Sequence, residues 1–374
     1  MASMANVLGV IFSDMHENYV PELTERRTTA SVPFGARYRL IDFPLSNMSN
    51  SGVAEVGVVA KNNYQSLLDH LGAGGEWDLS RKVGGLRILP PFGQTDAGLY
   101  RGRLDALAGI RPFIERTKSE YVILADADLI ANVDFKPIVE SHVDSKADIT
   151  LLYGGAGTGD KAVKTFVKAK DGKIVDVLVR PHKDADTTAY GVSLNVFVLS
   201  KKLLLDIITD TSARNLYSFD IDVIQHRLSE FDIRGYKFEG YYAQIDSMDA
   251  YFKANKELFN SKVRGELFHS DNPIYTKVRD DAPAKYEIGS NVKNALIADG
   301  CVIEGTVENS VLFRGVKIGK GAVVKNAIVM QDTVVGDNCE ITAAILDKDV
   351  TVAGFRTLAG TEDYPVYVAK GAKV

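Results

Sequence analysis

The spacing of apolar positions changes once along the chain, near residue 288, and the textures on either side predict two different architectures. Through about residue 260, short aliphatic runs alternate with amphipathic stretches. Residues 7–12, 56–60, 121–125, 149–153 and 192–198 are almost continuously apolar and read as buried parallel strands, covered on both faces. Residues 105–116 and 200–209 read as covering helices. Residues 250–261 place Tyr251, Ala254, Leu258 and Phe259 at helical spacing and read as the helix that closes the unit. This alternation predicts an α/β domain over residues 1–261, doubly wound and mostly parallel, of Rossmann-like type. Residues 262–287, with Pro273, Pro283 and mixed charge, read as a linker.

From Ile288 onward aliphatic positions recur every six residues, as in Ile297/Ile303, Ile318/Val324, Val329/Val335/Ile341 and Leu346/Val352. Ile318-Gly319, Val335-Gly336 and Val352-Ala353 continue the pattern at a spacing of seventeen, the length of one triangular coil. Residues 288–374 are therefore expected to form a left-handed parallel β-helix of hexapeptide repeats, whose ends or faces commonly pair with another subunit. Hexapeptide acyltransferases rely on histidine, and the last histidine here is His269, ahead of the repeats.

Composition narrows the function. The chain has 374 residues, 45% hydrophobic and 25% charged, with a formal net charge of -5. That balance fits an ordinary globular protein and argues against a nucleic-acid partner, which would need a basic face. No run of eighteen apolar residues and no secretory leader pattern occur, so neither a membrane span nor export is expected, and the cytoplasm is the expected location. Cys301 and Cys339 are expected to be buried small hydrophobes, with no disulfide framework or zinc site.

The first strand runs directly into Asp14-Met15-His16-Glu17-Asn18-Tyr19, where a nucleotide-binding α/β enzyme needs glycines to bring backbone N–H groups against phosphates. None is present there. Further on, residues 32–52 read VPFGARYRLIDFPLSNMSNSG. This block closely resembles bacterial glucose-1-phosphate adenylyltransferases, and the resemblance extends over nearly the whole chain. It implies a sugar nucleotidyltransferase fold followed by a β-helix. It also implies a GGxGTRL loop whose glycines fall on Asp14, Met15 and Glu17 and whose triphosphate-clamping arginine falls on Tyr19. Two carboxylates then face a polyanion with no cation, each close pair of like charges costing about 1 kcal/mol even in water.

Other positions of the resemblance can be read one by one. The metal-binding aspartate after the strand at 121–125 is matched by Asp128, which by itself could equally be a helix cap. The second metal carboxylate is matched by Gln244, a neutral and weak Mg²⁺ ligand, and the neighbouring arginine by Ala243. Asp246, two residues beyond Gln244 on the same face of a strand, is a substitute candidate. Lys61 stands where a glutamine reads adenine. The GTADA segment becomes Gly102-Arg103-Leu104-Asp105-Ala106, with Arg103 and Leu104 adding bulk where small residues admit the nucleotide. Val179 and Arg180 replace the acid and lysine of a sugar-phosphate motif, and Thr29 replaces a lysine. Gly102, Asp105, Asp128 and Arg180 are the substrate-like positions retained.

The resemblance implies a GlgD-type, catalytically impaired subunit with no cofactor of its own. Mg²⁺ is expected in an active homologous partner, within a heterotetramer or another oligomer. Arg26 and Arg27 match a basic pair that in relatives lines an effector pocket for sugar phosphates or phosphate. The β-helix side of that pocket is expected at residues 335–340, which are acidic. Arg37 and Arg39 are expected in structural ion pairs, and Trp77 in a packing contact at a loop or subunit boundary. Two rival expectations remain: an active nucleotidyltransferase using Asp128 and Asp246 for its metal, and a sugar-phosphate sensor without enzymatic activity.

Overall fold

A computed structural model describes residues 3–15, 17–91, 100–155 and 163–374. Its first domain holds β1 (Val7–Phe12), β2 (Glu55–Val59), β3 (Gly85–Leu89), β4 (Tyr121–Asp126), β5 (Leu129–Ala131), β6 (Ile149–Gly154), β7 (Thr165–Lys170), β8 (Lys173–Val179), β9 (Gly191–Ser200), β10 (Ile233–Lys237) and β11 (Tyr242–Gln244). Among the described residues nine of these make one sheet, in the order β3-β2-β1-β4-β9-β6-β10-β8-β7, while β5 and β11 form a separate antiparallel ribbon. The first four strands are parallel. Every residue of β1 is buried, and Gly9 is required by packing: a Cβ there would lie 2.3 Å from Met48 Sδ on the helix Asp42–Asn50.

The strand expected at 192–198 forms, as β9, but it is not parallel to its neighbours. It runs antiparallel to both β4 and β6. The connection from β6 is the antiparallel hairpin β7–β8 rather than a helical crossover, so the chain returns in the opposite direction. β9 still sits centrally with its aliphatic residues buried, which gives it the apolar texture of a parallel strand. The helix expected over 105–116 is divided into Arg103–Gly109 and Arg111–Arg116 at Ile110. Pro112 supplies the break, since it lacks an N–H and displaces the residues before it from regular helix. The helix after β9 spans Lys201–Ala213, with the Ser200 hydroxyl accepting the Leu203 N–H as its cap.

The closing helix is Met248–Glu257, and a further helix, Ser261–Leu267, occupies the start of the segment read as a linker. Asn132 donates to the Leu267 and Asn272 carbonyls at 2.8 and 2.7 Å, tying that segment to the α/β domain. From Lys285 the chain winds into a left-handed β-helix with three parallel five-stranded sheets. Ile303, Ile318, Val335 and Val352 stack in its buried core, with both cysteines buried and free. A shared core joins the domains: Phe34, Phe43, Tyr251 and Phe252 pack with Val311, Phe313, Met330 and Ile345 of the β-helix.

Candidate functional site

The cleft lies at the carboxyl ends of β1 and β4, the usual place for a ligand in an open α/β sheet. Asp14 is buried and folded back: its Oδ2 accepts the backbone N–H groups of Lys61 and Asn62 at 3.0 and 3.2 Å, and the Ser13 hydroxyl donates to its other oxygen. A side chain thus engages the loop after β2, in place of amides presented to a phosphate. Met15 packs against the apolar cluster beneath. Glu17–Tyr19 forms a short 3₁₀ turn. The Tyr19 phenol is pushed above its ordinary pKa, mainly by burial, and faces Arg180, with Asp128 and Asp220 near it.

Arg103 fills the part of the cleft behind these groups. Its side chain is 4% exposed, and it donates to Asp126 Oδ2 at 2.7 Å and Asp220 Oδ2 at 3.3 Å. Its guanidinium lies 5.4, 5.2 and 6.0 Å from the ring centroids of Phe12, Phe197 and Phe219. Burial alone would lower its pKa, but Asp126 and Asp220 more than offset that and raise it. Gly102 begins this helix against Tyr217, where a Cβ would meet the carbonyl oxygen at 2.4 Å. Asp105 does not join the cleft residues; it pairs with Arg101 at 2.8 Å, close to Asn215.

The ribbon β5–β11 brings Asp128 and Asp246 toward one another. Gln244 pairs with Leu129 in register, and the Ile245 N–H donates to the Asp128 carbonyl at 3.0 Å. With Tyr19, Lys164, Arg180 and Gln244 these carboxylates line a cavity of about 30 Å³. One water occupies roughly 10–15 Å³ by this measure, so the space enclosed between these side chains suits a few waters. The Gln244 amide donates to the Ser193 carbonyl at 3.0 Å. Lys164 Nζ stands 3.2 Å from Asp246 Oδ2. Burial raises the Asp246 pKa most, opposed by Lys164 and reinforced by Asp128.

Mg²⁺, which the resemblance implies for active members, does not fit this donor set. The Gln244 amide is engaged elsewhere, an ammonium pairs with Asp246, and no cluster of three or more His, Cys, Asp or Glu among the described residues is placed to hold a metal ion.

A second polar cluster lies between the domains. Arg27, expected with Arg26 to face an effector, is buried and bidentate to Asp347 at 2.7 and 2.8 Å, while Arg26 is exposed. The Tyr367 hydroxyl donates to this network, 2.8 Å from Asp347 Oδ2. The β-helix turn that meets Arg27 is thus Asp347-Lys348, not the acidic 335–340 segment expected from sequence. The repeat period tells which residues point inward but not which face abuts the other domain. The Lys348 pKa is lowered to about 6, by burial first and then by Arg39 and Arg27. Arg39 makes no ion pair among the described residues; it donates to the Ser66 carbonyl and hydroxyl at 2.6 and 2.9 Å. Arg37 lies over the Tyr38 ring. Trp77 is fully buried at the end of the short turn Gly75–Trp77, edge-on to His70, which is the packing contact expected of this loop.

Asp220, Lys164 and Lys348 were missed in the sequence. Asp220 and Lys164 lie in segments outside the motif blocks, and Lys348 sits in a β-helix turn whose neighbours only the fold reveals.

The fold and cleft define a nucleotidyltransferase-type α/β domain carrying a hexapeptide β-helix, and comparison with known proteins agrees. The nucleotidyl transferase family model matches residues 20–261, and the GlmU-like C-terminal hexapeptide model matches residues 282–361. The chain is 34% identical over 369 residues to the glycogen biosynthesis protein GlgD of Bacillus subtilis, covering 98% of this chain and 96% of that protein. It is 39% identical over 321 residues to GlgD of Geobacillus stearothermophilus, covering 85% and 82%. A glucose-1-phosphate adenylyltransferase of Clostridium perfringens is 32% identical over 339 residues, covering 89% and 85%. The chain belongs to the nucleotidyl transferase family, in the GlgD-type group that lies close to the glucose-1-phosphate adenylyltransferases.

Proposed function

We propose that this chain is a catalytically impaired, modulatory subunit of a hetero-oligomeric glucose-1-phosphate adenylyltransferase in cytoplasmic glycogen synthesis. The partner activity joins ATP and glucose-1-phosphate into ADP-glucose and diphosphate. The single observation that carries this reading is the place of Arg103, locked to Asp126 and Asp220 among three aromatic rings where the resemblance puts small, nucleotide-admitting residues. The loop without glycines and the engaged Gln244 support it. The similarity to GlgD proteins supports the pathway.

On this reading Mg²⁺ belongs to the catalytic homologue, and this chain acts through its contacts. Such contacts shift an active subunit only if they differ between its states. Arg39 and Arg27 set a positive field around Lys348 at the domain boundary, part of what lowers its pKa, and an anion such as a phosphate or sugar-phosphate effector there would favour the charged ammonium. Sedimentation of the chain mixed with a catalytic homologue tests the association: one mixed species is expected, and two unmixed species would contradict it.

A further inference from the structure

The nine-stranded sheet has one open edge among the described residues. β7, last in its order, also pairs with β9, which closes that end, whereas β3 pairs with β2 alone. The Gly85 N–H donates to the Ala54 carbonyl at 2.8 Å and the Leu89 carbonyl accepts the Ala60 N–H at 3.0 Å, so residues 85, 87 and 89 turn their backbone groups toward β2. Those of Leu86 and Ile88 turn outward, because successive residues of a strand alternate. The Leu79 carbonyl takes the Leu86 N–H at 2.9 Å, and among the described residues the edge is open at Ile88. Such an edge is a template for another strand. Beside it lies a groove of about 1570 Å³, between β3 and the helices Arg103–Gly109 and Arg111–Arg116. It is larger than the roughly 300–1,000 Å³ of most small-molecule pockets, and its floor is apolar, with Leu89, Ile110 and Phe113 buried. Its rim is basic: Lys82, Arg87, Arg116 and Lys118 are all exposed, and none forms an ion pair among the described residues. Arg101 is matched by Asp105, and of the described lining residues only Glu55 opposes the other cations.

We propose that this groove is a docking edge for a second chain of the same fold whose own edge is acidic, and that its basic rim turns away a second copy of this chain. Two copies joined across a two-fold axis present the same patch to one another, so Arg87, Arg116 and Lys118 would meet their own counterparts. Like charges held across a strand pair or an interface oppose it, whereas carboxylates on an incoming edge would meet guanidinium and ammonium groups that no acid of this chain engages. The backbone at Ile88 supplies strand pairing, the apolar floor supplies burial, and the rim decides which chain is accepted. A catalytic homologue with an acidic edge would join here, which extends the modulatory reading. Only the identity of that natural partner rests on the modulatory reading; the groove itself is tested with this chain alone, so the two fail separately.

The test mixes the native full-length chain with a charge-reversed copy, Arg87→Glu with Arg116→Glu, and follows association by sedimentation velocity at low ionic strength. The mixed pair is expected to associate roughly tenfold or more tightly than either chain with itself, and the gain is expected to vanish at high salt. Ile88→Pro in the native chain removes an outward N–H that β2 does not use, and is expected to abolish the gain. No gain on mixing chains that circular dichroism shows to be folded overturns the proposal, and so does a gain that survives Ile88→Pro. Should the charge-reversed copy not fold, Lys82→Glu with Lys118→Glu reverses the same rim and carries the same expectation. With a catalytic homologue as the partner, mixing by the native chain is expected to be lost on Arg87→Glu with Arg116→Glu. Mixing that survives those substitutions overturns this edge as the docking site, whereas a native chain that never mixes with the homologue contradicts the modulatory reading, and the charge-reversed copy then decides the groove by itself.

Discussion

Replacing Arg103 by methionine keeps much of its apolar bulk among Phe12, Phe197 and Phe219 and removes only the charge. Asp126 is 2% exposed and would lose its Arg103 ion pair while staying buried, whereas Asp220 is 21% exposed and can rehydrate. Breaking a buried pair in this way costs about 3–5 kcal/mol, because the carboxylate stays buried after its guanidinium partner is removed. For a unit of this size each kcal/mol moves the midpoint by roughly 2–4 °C, so the α/β transition is expected to fall by about 6–20 °C. Differential scanning calorimetry of Arg103→Met, Asp126→Asn and the double variant measures it. The double variant should be more stable than the sum of the single losses predicts, by about 1–3 kcal/mol of coupling, because it contains neither orphaned charge. A loss under about 1 kcal/mol for Arg103→Met, or single losses that simply add, would refute the idea that this ion pair plugs the cleft.

Other expectations follow from the same geometry. Arg27→Met strands Asp347 at the domain boundary and should cost about 3–5 kcal/mol, with the β-helix and α/β transitions separating in calorimetry; a single unshifted transition contradicts it. Gly102→Ala drives a Cβ to 2.4 Å from the Tyr217 carbonyl and should cost about 1–3 kcal/mol in urea unfolding, while Gly172→Ala, with open space but a positive φ, tests strain alone. The folded His142 pKa is lowered to about 4 by burial, against an ordinary 6.5, so the folded state binds fewer protons than the unfolded one between those values. Stability should therefore fall as pH drops from 6.5 to 4 and level off below, and His142→Gln should flatten that part of the profile. Lys348 titrates near 6 in the free protein, and an anion beside it favours its charged form. Phosphate binding at pH 7.5 should then take up protons, visible as a calorimetric enthalpy that depends on buffer ionisation; a buffer-independent enthalpy rules out this role for Lys348.

The apolar spacing made both domains legible because each architecture has its own period, and burial enforces it on every strand and coil. It could not tell the direction of β9, since a strand buried on both faces reads alike in either orientation. The degenerate cleft positions were legible as losses, through glycines and an arginine absent where a polyanion needs them. What replaced them was not. The Arg103–Asp220 pair spans 117 residues and the Lys164–Asp246 pair 82, and neither spacing leaves a local pattern. The interdomain partner of Arg27 was misplaced for the same reason, because the choice among three β-helix faces is made by the shared core of Phe43, Tyr251 and Met330.

The central claim is that the cleft is silent and the chain acts through a partner. The most direct measurement is pyrophosphate release from ATP and glucose-1-phosphate with Mg²⁺, for this chain alone, for a catalytic homologue alone, and for the two combined. Background release from the chain alone, with altered kinetics in the mixture, is the predicted result. Release by the chain alone at a rate comparable to the homologue would contradict it and mean that another cradle holds the triphosphate.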